Sequence, residues 1–284
     1  MQQTSTDLNS GEYPACGAMT TGYVFRVENP ATVYYLQQMC RTGHLTTFSV
    51  SKLKTSSWRE WFSTILFSSE HTPVIAALAY AAAVLWAIAV ILLMGFSYDW
   101  WGLGLVLVLV ACRLVNVIVI RRRSMPGWFG APEPDVDGDL LVLLSQDRWA
   151  RIKGKVDYLK AVTSGQWLRD QTLVESWATA LVTLIVYLAA ALVSNATQFG
   201  KILIMTLFGG SAGLLAIANS VTNRLMMHGY VVKQDGERKK YERRRMLADE
   251  LIKETKRNDW AVRMGMIPAQ EAPNGTAEEH AVVM

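Results

Sequence analysis

Residues 73–96 read PVIAALAYAAAVLWAIAVILLMGF, an apolar run without a single charged side chain. At a rise of about 1.5 Å per residue, about 20 helical residues cross a hydrocarbon core of about 30 Å. A run this long is a membrane-spanning helix, because buried soluble helices are shorter and carry a polar face. Three further segments have the same character: residues 100–120, 172–193 and 202–222. The last is also uncharged, whereas residues 100–120 include Arg113 and Asn116, and residues 172–193 carry Glu175 near their start. Short connectors group the four into two hairpins, residues 73–120 and 172–222.

Loop charge orients them. Lys and Arg accumulate on the cytoplasmic side of short loops. Lys52, Lys54 and Arg59 precede the first span, Arg121, Arg122 and Arg123 follow the second, Arg169 precedes the third and Arg224 follows the fourth. The far connectors, residues 97–99 and 194–201, hold Lys201 as their only Lys or Arg. The expectation is an integral membrane protein with both termini and the central loop, residues 121–171, in the cytoplasm. Tyr98, Trp100 and Trp101 fit an aromatic belt at the opposite interface.

Ahead of the first span, Trp58, Trp61, Phe62, Ile65 and Leu66 recur at helical spacing within residues 57–68, with Lys54 and Arg59 beside them. That pattern predicts an amphipathic helix lying in the headgroup region. Residues 1–20 and 268–284 read as disordered ends. Residues 21–56 read as strand, helix and strand: β-rich at 21–27 and 45–52, with a helix at 31–42 capped by Asn29, begun by Pro30 and stopped at Gly43. In the central loop, residues 139–144 and 148–155 form a predicted hairpin, followed by a helix at 156–163. Neither piece is long enough to bury a core alone, so the two are expected to share one sheet. The predicted fold class is predominantly α: a four-helix transmembrane bundle with a small cytoplasmic α+β part formed by the N-terminal segment and the central loop.

Three features bear on function. Arg113, Asn116, Glu175 and Asn219 overlap in depth in the cytoplasmic half of the bundle. An intramembrane arginine snorkels or seeks a carboxylate, so Arg113 is expected to pair with Glu175 and the two asparagines to complete the bonding; an ion-pair brace, a solute pathway and snorkelling without a partner are all open. Gly209 and Gly213 form a small-xxx-small pair suited to helix packing, within the chain or in a homo-oligomer. Beyond the fourth span, residues 223–267 read as a basic helical tail in which Arg238, Lys239, Lys240, Arg243, Arg244 and Arg245 are either a solvated helix face or a binding surface for anionic lipids. A protein partner is the other expectation for the cytoplasmic parts.

Other classes find no support in the residues. The formal charge of +4 is too small to mark a nucleic-acid binder. His44, His71, His228 and His280 are widely spaced, Cys16, Cys40 and Cys112 show no metal-binding pattern, and neither HExxH nor GxSxG occurs. The expectation is a non-enzyme with no metal and no cofactor: an organiser or adaptor, with a channel or transporter subunit as the alternative. Residues 147–154 (DRWARIKG), 159–168 (LKAVTSGQWL) and 258–263 (NDWAVR) resemble an uncharacterised family of multi-pass membrane proteins from filamentous fungi. The resemblance implies membrane location and a fungal source, and brings no catalytic residues with it.

Overall fold

The structure, a computed structural model, describes residues 12–53, 74–124, 127–165, 167–221 and 223–268. The amphipathic stretch 57–68, residues 1–11 and residues 269–284 lie outside them; the expectation of disorder for residues 12–20 is corrected, because Ala15–Ala18 form a strand paired in the sheet and Cys16 is fully buried. The chain divides into a soluble unit, drawn from residues 1–54, 126–167 and 223–284, and a membrane unit, drawn from residues 55–125 and 168–222.

In the soluble unit, β1 (Ala15–Ala18), β2 (Val24–Arg26), α1 (Pro30–Met39) and β3 (His44–Lys52) come from the first segment. The central segment adds β4 (Asp137–Leu144) and β5 (Arg148–Lys155), with a helix at Val156–Thr163. After the second membrane hairpin come β6 (Arg224–Met227), β7 (Tyr230–Gln234), β8 (Lys239–Lys240) and helices at Arg244–Thr255 and Asp259–Arg263. All eight strands join one sheet in the order β2-β1-β4-β5-β3-β7-β6, with β8 beside the start of β3. Only β3 and β5 run parallel. The N-terminal segment and the central loop therefore do share a sheet.

Local rules set α1. The Asn29 side chain accepts from the Ala31 and Thr32 N–H groups at 3.1 and 3.3 Å, and Pro30 takes the first position, where a missing N–H costs nothing. The Asn29 amide also donates to the Gly165 carbonyl at 2.5 Å, tying the first segment to the central one.

Both faces of the sheet are covered. Phe48, Val50, Leu140, Val142, Ala150 and Ile152 point to the face packed by Leu36 of α1 and by Leu159 and Val162 of the helix Val156–Thr163, hereafter α4. The intervening residues Leu45, Leu141 and Trp149 meet Leu247, Leu251 and Trp260 of the two C-terminal helices. A strand buried on both sides carries a continuous apolar run, which is why β4 reads DLLVLL and not as an alternation. The expectation of a helical tail for residues 223–267 is corrected here. Ten residues after the fourth span the chain is already a hairpin, β6 and β7 pairing Arg224 with Lys233 through Met227 with Tyr230, and its helices roof the second face.

Among the described residues of the membrane unit, four helices are long and apolar enough to cross a bilayer: α2 (Val74–Phe96), α3 (Trp100–Arg123), α5 (Leu173–Leu192) and α6 (Gln198–Val221). The protein is an integral, multi-pass membrane protein. The broadest contacts cross between hairpins, α2 with α6 and α3 with α5. Ala76, Ala79 and Ala218 allow close approach at one end; Val90, Met94, Val106, Leu203 and Ile204 fill the other. The two C-terminal helices of the soluble unit, Arg244–Thr255 and Asp259–Arg263, are α7 and α8.

Candidate functional site in the membrane bundle

The four residues of the predicted polar layer do not come together. Glu175 occupies the third position of α5, where its carboxylate accepts from the Thr172 N–H at 2.9 Å while the Thr172 hydroxyl accepts from the Glu175 N–H at 3.4 Å. This is a capping box. Its other oxygen takes a hydrogen bond from Arg169 at 2.7 Å, and the Arg123 and Arg169 backbones bond to each other, with Arg123 Nε also donating to the Arg169 carbonyl at 2.8 Å. Glu175 is thus spent on the ends of α3 and α5. The expected partnership with Arg113 is corrected: local geometry at a helix N-terminus wins over an ion pair deeper in the bilayer. Asn116 and Asn219 are exposed on α3 and α6.

Arg113 instead lines a groove between α2, α3 and α6. Its walls are Ala83, Ala87, Val106, Leu109 and Phe208 with their neighbours, its volume is about 270 Å³, and among the described residues Arg113 is the one charged side chain on it. Tyr80 and Ser211 supply hydroxyls. Tyr80, Val84, Val110 and Phe208 are exposed, so the groove opens sideways.

The glycine pair is also elsewhere than packing requires. A Cβ on Gly209 or on Gly213 would meet nothing within 4 Å, whereas at Gly210 it would approach the Trp86 ring at 3.4 Å. Trp86 donates to the Thr206 carbonyl at 3.3 Å across the α2–α6 contact. Gly210 is the glycine that serves intramolecular packing, and Gly209 and Gly213 face outward.

No family model, curated protein or solved structure matches this chain. Function rests on the geometry.

One polar centre escaped the sequence reading. Asp99, in the three-residue link between α2 and α3, is 3 % exposed. Its carboxylate accepts from the Gly102 N–H at 3.0 Å, capping α3, and from the Thr197 N–H and hydroxyl at 3.1 and 2.7 Å. The Thr197 hydroxyl in turn accepts from the Gly200 N–H at 3.0 Å, capping α6. One carboxylate therefore sits at two helix N-termini, where the dipoles favour an anion. Burial alone would raise its pKa; the donors from Thr197 and Gly102, with Lys201 near, outweigh that and hold the carboxyl below its ordinary value. The available signal was an N-cap residue type ahead of each helix, Asp before Trp100 and Thr before Gln198.

In the soluble unit the basic cluster is largely engaged. Arg238 donates to the Met39 carbonyl at 3.0 Å, Lys239 pairs with Glu250 at 2.5 Å, Arg244 meets Asp147 at 2.5 Å and Arg245 lies 4.0 Å from Asp249. Lys240 and Arg243 are exposed. The three cysteines are buried and free; burial pushes the Cys40 thiol up to about 12 and raises Cys16 as well, which keeps both as unreactive thiols. Among the described residues no group of His, Cys, Asp and Glu is arranged to hold a metal.

Proposed function

We propose that this chain is a non-enzymatic membrane organiser or adaptor that displays its soluble unit at the cytoplasmic face. The observation that carries this reading is the strand order. Segments before, between and after the two hairpins interleave in one sheet, so all three need the same side of the membrane, and each hairpin must leave and return. The Arg121–Arg123 run and Arg169 at the near ends favour the cytoplasm as that side. Such an arrangement supports presentation: a sheet packed on both faces is joined in sequence to four spans through all three of its segments.

Protein partners are favoured over lipid for the basic cluster, because four of its six cations already have acceptors in the chain. Lys240 and Arg243 remain for anionic lipid, each contributing about 1 kcal/mol near a charged surface. Homo-oligomerisation is supported by the outward Gly209 and Gly213. The three stretches that resemble the fungal family fall in β5, in α4 with the residues after it, and around α8, in the soluble unit but for Leu168; a filamentous-fungal membrane is the proposed setting.

Proximity labelling from the soluble unit in native cells tests the adaptor reading, which expects a reproducible set of cytoplasmic neighbours that disappears when the sheet is disrupted. The competing channel or transporter reading expects ion or solute flux in liposomes. Robust flux abolished by Arg113→Gln would replace the adaptor proposal.

A further inference from the structure

The groove around Arg113 is a poor place to leave a cation. Arg113 stands seven residues inside the cytoplasmic end of the apolar stretch 100–120 and thirteen from Trp100, about 10 and about 20 Å along α3, which sets it well inside the cytoplasmic half of a hydrocarbon core of about 30 Å. The Cα–Cβ bond of a helical residue leans toward the N-terminus, here toward Trp100 and away from the nearer interface. Snorkelling therefore runs against the side chain's own direction. The acid on the adjoining helix, Glu175, has both oxygens committed to Arg169 and Thr172, and among the described residues no carboxylate pairs with Arg113.

We propose that the groove between α2, α3 and α6 binds a long-chain fatty acid, with its carboxylate on the Arg113 guanidinium and its tail along Ala83, Ala87 and Val106. Charge complementarity selects the head, since a guanidinium presents a planar fork of donors that matches a carboxylate. Depth selects the single chain. The phosphate of a diacyl lipid stays in the headgroup region, about 10 Å from Arg113 along α3, whereas a single-chain acid can give up its proton to water at the interface and slide inward until its carboxylate meets the arginine. The wall is otherwise apolar and opens past Val84 and Phe208, so the 270 Å³ cavity holds part of the tail while the rest continues into the bilayer.

The test uses the full chain in phosphatidylcholine nanodiscs, a diazirine-bearing palmitic acid as photoprobe and peptide mapping of the label. Label is expected on the α2, α3 and α6 peptides that line the groove. Palmitate should reduce it at least tenfold and hexadecanol should not; Arg113→Gln should lower it at least tenfold, with Arg113→Lys retaining most of it. Ala87→Phe, which fills the groove and keeps the charge, should abolish it. If Arg113→Gln does not fold, the comparison of palmitate with hexadecanol on the native chain and the Ala87→Phe result decide the matter. Equal competition by hexadecanol, unchanged labelling in Ala87→Phe or a folded Arg113→Gln, or stronger competition by phosphatidic acid than by palmitate would each overturn the proposal.

Discussion

At the scale of single residues, Asp99 shows how much one short link can hold. An N-cap alone stabilises by about 0.5–2 kcal/mol, and hydrogen bonds to a charged acceptor are roughly twice as strong as neutral ones. Asp99→Ala removes the α3 cap and the bonds to Thr197 together, so a loss of about 2–4 kcal/mol is expected. Thr197→Val should cost about 1–2 kcal/mol. Because the two share one bond, the double variant should be clearly less destabilised than the sum of the singles, as read from thermal unfolding in detergent; strict additivity would remove the clasp as a unit. Gly200→Ala should be harmful too, since a Cβ there runs into the Asp99 carboxylate. The pH dependence has a definite sign. The carboxyl is held below its ordinary value, so its contribution is complete above the unfolded pKa of about 4 and is lost as the pH falls through the folded one. None of this was legible beyond a residue type, because Thr197 lies 98 positions from Asp99.

The element that changes the picture most is the C-terminal helix pair, docked by charge as well as by grease. Arg151, whose side chain is 8 % exposed, bonds Asp139 of β4 and Glu254 of α7 at 2.5 and 2.7 Å. Arg151→Ala leaves the largely buried Asp139 without its cation and is expected to cost about 3 kcal/mol. Trp260, fully buried under the sheet, should cost about 3–5 kcal/mol on truncation to Ala. Urea titration of the soluble unit's circular dichroism reads both. Glu254 is held low chiefly by its hydrogen bond from Arg151, and Glu250 by that from Lys239. Depressed carboxyls stabilise above their unfolded values of about 4 and stop doing so as acid titrates them. Protection of the Leu247 and Leu251 amides, relative to their intrinsic exchange rates at each pH, should therefore fall as the pH drops below about 4, ahead of protection in β4 and β5; simultaneous loss would mean that α7 docking carries no separate charge dependence. In the bundle, Gly210→Leu should lower the unfolding temperature through Trp86, while Gly209→Leu and Gly213→Leu should leave a monomer unchanged and affect only self-association. What sequence could read divides along the same line. Asn29, Pro30 and the DLLVLL run announce their elements because the signals are local, and the small-residue motif announces closeness without saying to what. The hairpin β6–β7 stayed hidden behind a run of cations, because its pairing partner, β3, lies on the far side of both membrane hairpins.

At the scale of the molecule, the soluble unit is one fold delivered in three instalments. Its two cores draw on residues 12–53, 127–165 and 223–268 alone, and the membrane hairpins enter the sheet as two long insertions. Closing an insertion costs entropy that grows only slowly with length, about 0.6 kcal/mol for each doubling, so the hairpins interrupt the sequence more than they interrupt the energetics. A chain in which Gly/Ser linkers replace both hairpins should therefore fold in water into a soluble domain with a single cooperative unfolding transition. The same chain cut before residue 223 should not. It would lose β7 from the edge of β3 and uncover Leu45, Leu141 and Trp149, three large side chains whose burial stabilises by about 1.5–3 kcal/mol each, against a total domain stability of only about 5–15 kcal/mol. A stitched chain that stays unfolded with its C-terminal segment present would show that the sheet depends on the bundle. A truncated chain that folds would show that the first two segments suffice and that the C-terminal roof is an accessory, free to come away from a standing sheet when a partner arrives.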